Sequence, residues 1–323
     1  MNSRRIWFAI AAIALGLAAS PAPAQDKYPS RPIKIIVPTP AGGPVDVVAR
    51  VVANYLTTTL GQSVIVDNRP GAGNTIGSKE AARAEPDGYT LLYSAVSGLI
   101  LAPMLQKDAG YDPLTSFAPV VAVGSGYLIL VVHPSVPAKS VQELVTYAKA
   151  NPGKINFSSG GIGVLPHLTG EMFKAAAGIN IVHVPYRGGA PALTDLIGGQ
   201  VQVMLETSAG AIEYVRTGKL RALAVTTSAR SEALPDIPTV SEFVPGYESS
   251  GFFGIFAPGK TPSVIVDKLN KEINAGLADP KLKAQLADLG GMILVGSPAD
   301  FRSLIAEETE KWAKVIRAAN IKL

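Results

Sequence analysis

Hydrophobic positions along the chain switch repeatedly between two periods. Ile33 to Val37, interrupted only by Lys34, reads as a buried strand, and Val45, Val48, Val52 and Leu56 then recur at helical spacing. Pro38-Thr39-Pro40-Ala41-Gly42-Gly43-Pro44 joins them, with Pro44 suited to the first helical turn. Val64 to Val66 predicts a second strand, Asn68 to Thr75 a second glycine-rich turn, and Ile76 to Ala84 a second helix. Tyr89 to Tyr93 predicts a third strand, which runs into the small residues Ser94 to Gly98 and an apolar helix ending near Leu105. Strand–loop–helix units in succession predict a parallel sheet covered by helices. Ligands of such sheets sit beyond the C-terminal strand ends, where these small-residue loops fall.

Phe117 to Val123 and Tyr127 to Val132 form an apolar pair broken by Gly124-Ser125-Gly126, a place for the chain to pass between lobes. Ser140 and Glu143 form a capping box ahead of a helix to about Ala150. The strand–glycine loop–helix theme then repeats: Ile155 to Phe157, Ser158 to Gly163 and a helix from Leu165; Ile181 to Val184, Pro185 to Pro191 and a helix from Ala192. Val201 to Leu205 and Leu220 to Val225 are further strands, with a helix from Ala211 to Thr217 between them. Later come a strand from Phe252 to Ala257, a helix capped by Thr261, a shorter helix from Pro280 to Leu289, and a last helix burying Phe301, Leu304, Ile305, Trp312 and Ile316.

The ends and the composition narrow this picture. Arg4 and Arg5, the apolar run Ile6 to Ala19 and Ala22-Pro23-Ala24 read as a secretory signal peptide cleaved near Ala24; the alternative is a membrane anchor. No later segment is long and apolar enough to span a membrane. The 323 residues contain no cysteine, which removes thiol catalysis, disulfides, lipid attachment and Cys-ligated metals. Taking Arg4 and Arg5 from the 29 basic residues leaves 27 against 25 acidic ones, near +2, and no basic block supports nucleic-acid binding.

Chemistry-bearing motifs are sparse. The three histidines, His133, His167 and His183, have no metal-pair spacing, and there is no HExxH or GxSxG. His167 could pair with Glu171, and a hydrolase reading would use Ser159 with His167 as its base. His183, between Val182 and Val184, reads as a packed side chain satisfied by backbone. A glycine turn entering a helix exposes unpaired amides that hold an anion. Asp46 and Arg50 lie one turn apart near the first such loop, either as a mutual ion pair or as ligand contacts, and the same choice stands for Asp195.

The chain resembles the extracytoplasmic solute receptors of the tripartite tricarboxylate transporter type, the Bug-like family. The likeness runs from Tyr28 to Leu323 through Pro40 to Asp46, Asn68 to Gly73, Pro86 to Leu92, Ser158-Ser159-Gly160, His183 to Gly188, Leu196 to Val201, Gly218 to Val225 and Pro235 to Thr239. It implies an α/β, two-lobed periplasmic binding protein (type II-like, Venus flytrap) with a parallel-rich sheet in each lobe. The expected division is a signal peptide over 1–24, one lobe from 25–127 plus 228–323, and the other from 128–227. It further implies a monomer, without catalytic residues, metal or cofactor, that closes on a small organic acid and docks with a two-component integral membrane permease, or serves as a sensor. Loops matching Ala41, Gly42, Gly43 and Asp46, and Ser158, Ser159 and Gly160, would grip a carboxylate. Those holding Ser94 and Ser97, and Glu206 and Thr207, would shape the far end, with His167 a further candidate. Two departures from the family pattern stand out: Asn74 where many relatives have glycine, and Leu205-Glu206 where many have Phe-Asp. A Glu206 facing the ligand would favour an amino or hydroxyl group; otherwise it is hydrogen-bonded in the hinge.

Overall fold

The computed structural model describes residues 28–231, 233–288, 291–318 and 321. The signal-peptide reading of 1–24 lies outside the described residues. In the first sheet β1 (Ile33–Val37) runs parallel to β2 (Val64–Asn68) and to β3 (Thr90–Ala95). The helices α1 (Pro44–Leu60) and α2 (Thr75–Ala82) make the crossovers. Asn74 stands at φ +78 immediately before α2, a left-handed turn position that asparagine tolerates better than most residues. After β3 come a π-turn, Ser97–Leu101, and the short α3 (Ala102–Leu105). Successive residues of β1 and β3 face opposite layers. Ile35, Val37 and Leu91 pack on Val48, Val52 and Leu56 of α1. Ile36 and Leu92 pack on Leu99 and Ile100.

The second sheet repeats the arrangement. Here β5 (Asn156–Ser159) lies parallel to β6 (Val182–Pro185) and β7 (Val203–Thr207). The flanking helices are α4 (Val141–Ala150), α5 (Leu165–Ala177), α6 (Gly189–Ile197) and α7 (Ser208–Arg216). The parallel pairs form the outer part of each sheet. The middle is antiparallel: β9 (Ser250–Pro258) pairs with β3 and with the long β4 (Phe117–Val132), and β4 also pairs with β7, β8 (Arg221–Val225) and β10 (Gly291–Ile293). The order is β2-β1-β3-β9-β4-β7-β5-β6. The sheets are therefore mixed and share one strand.

That strand differs from the sequence expectation. Gly124-Ser125-Gly126 does not interrupt it; β4 runs unbroken for 16 residues. A Cβ on Gly124 would lie 2.8 Å from the Met292 carbonyl oxygen and 3.0 Å from the Phe253 ring, so this glycine lets β10 and β9 approach rather than ending the strand. The passage between sheets happens within the strand: β4 pairs with β9 as far as Tyr127 and with β7 from Leu128.

Two capping expectations also change. The Ser140 hydroxyl accepts from the Glu143 amide at 3.1 Å, but the Glu143 carboxylate accepts from the Lys139 amide rather than from Ser140, so the box is only half formed. Thr261 does not cap α8 (Ser263–Ala278); Pro262 holds the cap position, and the Thr261 hydroxyl is buried without a protein partner among the described residues. The helices α9 (Pro280–Asp288) and α10 (Pro298–Ala318) complete the chain, and α10 buries Phe301, Ile305 and Trp312, with Leu304 and Ile316 at the margin.

Candidate functional site

The glycine loops fall at the C-terminal ends of the parallel strands. After β1, the chain turns through Ala41, Gly42 and Gly43 into α1, with Gly43 as N-cap and Pro44 in the first turn. The first-turn amides of a helix have no helical acceptor and point outward. Asp46 is 1 % exposed, and its carboxylate is used within the protein. It accepts from the Gly42 amide at 2.8 Å, Arg50 Nε at 2.9 Å and Asn68 Nδ2 at 2.9 Å. Burial alone would raise its pKa, but these bonds and the Arg50 charge hold it below the ordinary value. Of the two readings of Asp46 and Arg50, the geometry gives the ion pair, and it ties the loop to the helix. Asn68 Nδ2 also donates to the Thr39 carbonyl at 3.1 Å. The Thr39 hydroxyl oxygen is buried with no protein partner among the described residues.

The second half carries its own polar cluster at the C-terminal end of β5. Ser158 is fully buried and its hydroxyl likewise has no protein partner among the described residues. Ser159 Oγ lies 2.8 Å from the Gly161 carbonyl oxygen and 2.7 Å from His183 Nε2. The base beside Ser159 is therefore His183, not His167, and His183 is satisfied by a hydroxyl rather than by backbone. His167 Nδ1 accepts from the Gly163 amide at 3.1 Å, and Glu171 pairs with Lys174 at 2.9 Å instead of with His167. The His167 and His183 rings stack at 4.0 Å, and the Phe157 ring lies 4.8 Å from that of His183. Burial, then the neighbouring His167 and Lys174, push His183 down to about 3, and burial lowers His167 as well. Both rings are uncharged at neutral pH, which permits the stack. Gly160 is required by close approach, since a Cβ there would lie 2.9 Å from the Gly189 amide nitrogen.

Where the halves meet, Ser97 Oγ accepts from the Leu165 amide at 3.0 Å, joining the loop after β3 to the first turn of α5. Ser94 is buried at the end of β3 rather than in a loop, and its hydroxyl makes only a 3.4 Å contact with the Ala95 carbonyl. Glu206 is buried at the end of β7; its Oε1 accepts from the Thr207 amide at 2.8 Å and hydroxyl at 2.7 Å. Asp195 accepts from the Tyr186 hydroxyl at 2.7 Å. A cavity of about 100 Å³ opens at this junction, walled by Val45, Val96, Leu165, Gly126, Gly251 and Phe252, with Tyr93 and Thr207 also lining it. Thr207 is the one sequence-predicted site residue in its wall among the described residues. The others do not line it. The apolar wall itself escaped the sequence reading because a valine or phenylalanine lining a cavity has the same signature as one in a core.

A larger open depression of about 670 Å³ lies at the other end of the first sheet, beside Lys34 and Thr90. Two of its charged pairs are closed, Arg31 with Asp87 at 2.7 Å and Lys34 with Glu80 at 3.6 Å, and its lining contains none of the glycine-loop residues. Among the described residues, no three His, Asp or Glu side chains converge as a metal site.

Burial raises Glu206 above its ordinary 4.5, against the opposing hydrogen bonds of Thr207. A raised carboxyl binds its proton more tightly in the folded chain, so its contribution is greatest below 4.5 and is lost as pH rises through the folded value. Glu206→Gln is expected to remove that slope and to gain stability relative to the parent as pH rises. Urea unfolding between pH 4 and pH 8 checks this, and parallel pH profiles for the two proteins would refute it.

Residues 48–321 match the family model described as tripartite tricarboxylate transporter family receptor. BugT of Bordetella pertussis is 38% identical over 326 residues, covering 100% of both chains. Among solved structures, Rpa4515 of R. palustris with adipate superposes with a TM-score of 0.87 at 34% identity, covering 91% of this chain and 99% of that one. MatC (Rpa3494) from Rhodopseudomonas palustris with bound malate gives 0.83 at 30% identity, covering 90% and 100%. The glycine-loop geometry, the mixed shared-strand sheet and these likenesses together identify the chain as a member of the tripartite tricarboxylate transporter receptor family, with the α/β periplasmic binding protein fold.

Proposed function

We propose that the protein is a periplasmic receptor, monomeric and non-enzymatic, that closes two lobes on a small organic carboxylate and presents it to a two-component membrane permease. One observation carries the reading: two buried hydroxyls without protein partners among the described residues, Thr39 two residues past the end of β1 and Ser158 next to the last residue of β5, lie where a parallel strand of each sheet leads into a glycine turn. Donors of this kind, with the outward amides at Gly43 and α1, suit an anion in a partly dry cleft. The adipate and malate held by the two relatives accord with that chemistry. The lobes divide where β4 changes partner, so one comprises 25–127 and 228–323 and the other 128–227. Closure is ligand-driven, because only the closed form brings donors from both lobes to one carboxylate. Asp46, Ser97, Ser159 and His167 hold the gripping loops in shape.

Native mass spectrometry of the gently purified protein, followed by a thermal-shift panel of organic acids, tests the proposal. A ligand at 100 times its Kd adds about 2.7 kcal/mol to the folded state, which a melting scan resolves. Thr39→Val and Ser158→Ala are each expected to weaken binding of the responding acid about tenfold, the loss of one hydrogen bond to a charged group. No shift with any mono-, di- or tricarboxylate would overturn the carboxylate reading.

A further inference from the structure

The cavity at the junction contains one feature that carboxylate gripping leaves unexplained. Tyr93 lines it, is 0 % exposed, and its hydroxyl has no protein partner among the described residues. A buried hydroxyl without a partner is costly, so its retention calls for a reason. The ring is fixed by neighbours, with Phe253 at a centroid distance of 6.3 Å. Burial raises the Tyr93 pKa well above 10.0, so the group stays protonated and can donate. Tyr93 and Val48 line the same cavity as Val45, in the first turn after Gly43, and Leu165, which opens α5 after the turn that follows Ser159. Among its described lining residues none is charged.

We infer that Tyr93 forms the distal subsite of the receptor and selects a monocarboxylate whose short aliphatic body ends in a neutral hydrogen-bond acceptor, such as a ketone. This rests on the carboxylate reading above. A second carboxylate at that end would lose its hydration against an uncharged wall, and a single tyrosine donor does not replace a hydration shell. A plain alkyl end would leave the hydroxyl unsatisfied. The volume, about 100 Å³, is below the roughly 150 Å³ that accepts benzene, so the buried segment is a few carbons long.

Calorimetric titration with three acids of equal chain length, 5-oxohexanoate, hexanoate and adipate, against the parent and Tyr93→Phe, tests this. The parent is expected to bind 5-oxohexanoate about tenfold more tightly than either other acid. Tyr93→Phe is expected to lose that tenfold preference while its affinity for hexanoate stays level. Removal of an unpartnered hydroxyl should leave the unliganded melting temperature unchanged or higher; a fall would mean that the group has a structural partner and would overturn the inference. Tighter binding of adipate than of the oxo acid, or a preference that survives in Tyr93→Phe, would also overturn it while leaving the receptor reading intact. Binding of no carboxylate at all would sink the receptor reading and this inference together.

Discussion

Asp46→Ala is expected to weaken carboxylate binding at least tenfold and to destabilise the fold by about 2 kcal/mol. The substitution removes the charged acceptor of the Gly42 amide and one of the two acceptors of Asn68 Nδ2, which keeps the Thr39 carbonyl, and a hydrogen bond to a charged group contributes about 1.5–3 kcal/mol. Arg50 contributes less to the loss, because its side chain is 49% exposed and returns to water. Once Asp46 no longer holds Gly42, the turn between β1 and α1 loses its fixed shape and its amides lose their common aim. The pH dependence has a definite sign. The folded pKa lies below the ordinary 3.8, so the stabilisation is fully present above that value and disappears as pH falls through the folded pKa. The gap between parent and variant should therefore be widest near neutrality and close in acid. Urea unfolding with titration of the responding acid measures both effects; unchanged affinity together with unchanged stability would refute the anchoring role.

Trp312→Ala should produce the largest loss of stability, about 3–5 kcal/mol, the usual range for removing a fully buried aromatic side chain. Trp312 has no exposed surface, and its indole N–H donates to Glu308 Oε2 at 2.8 Å, one turn earlier on α10. It belongs to the same core cluster as Phe301 and Ile305 on its own helix, so the cavity would open inside that cluster. Trp312→Phe should recover more than half of the loss. Equilibrium unfolding of the three proteins gives the comparison, and a Trp312→Ala loss below 1 kcal/mol would contradict this account of the core.

The strands and helices were legible because their signals are local. Ile33 to Val37 followed by a proline-started helical period is resolved within one window of sequence, and the structure has β1 and α1 there. Partnerships between distant segments were not. Whether Ser159 meets His167 or His183 depends on which strand lies beside β5, and that register pairs Ser158 with Val184, placing His183 next to Phe157. Gly124 illustrates the same limit: a glycine that ends a strand and a glycine that admits a neighbouring backbone look alike until the neighbour is known. Tyr93 reads in the sequence only as the last residue of the third strand, which says nothing of its hydroxyl.

The shared strand has a mechanical consequence. Because β4 belongs to both sheets, a change of angle between them is a change of twist along β4 where it leaves β9 for β7. At the crossing Gly126 faces Gly251, so no side chains on that pair must slide past one another. The joint then behaves as a torsion spring made of backbone, whose stiffness is a property of one strand rather than of side-chain packing. Clearance beside this joint is small, since a single methyl on Gly251 would come within 2.6 Å of Leu165.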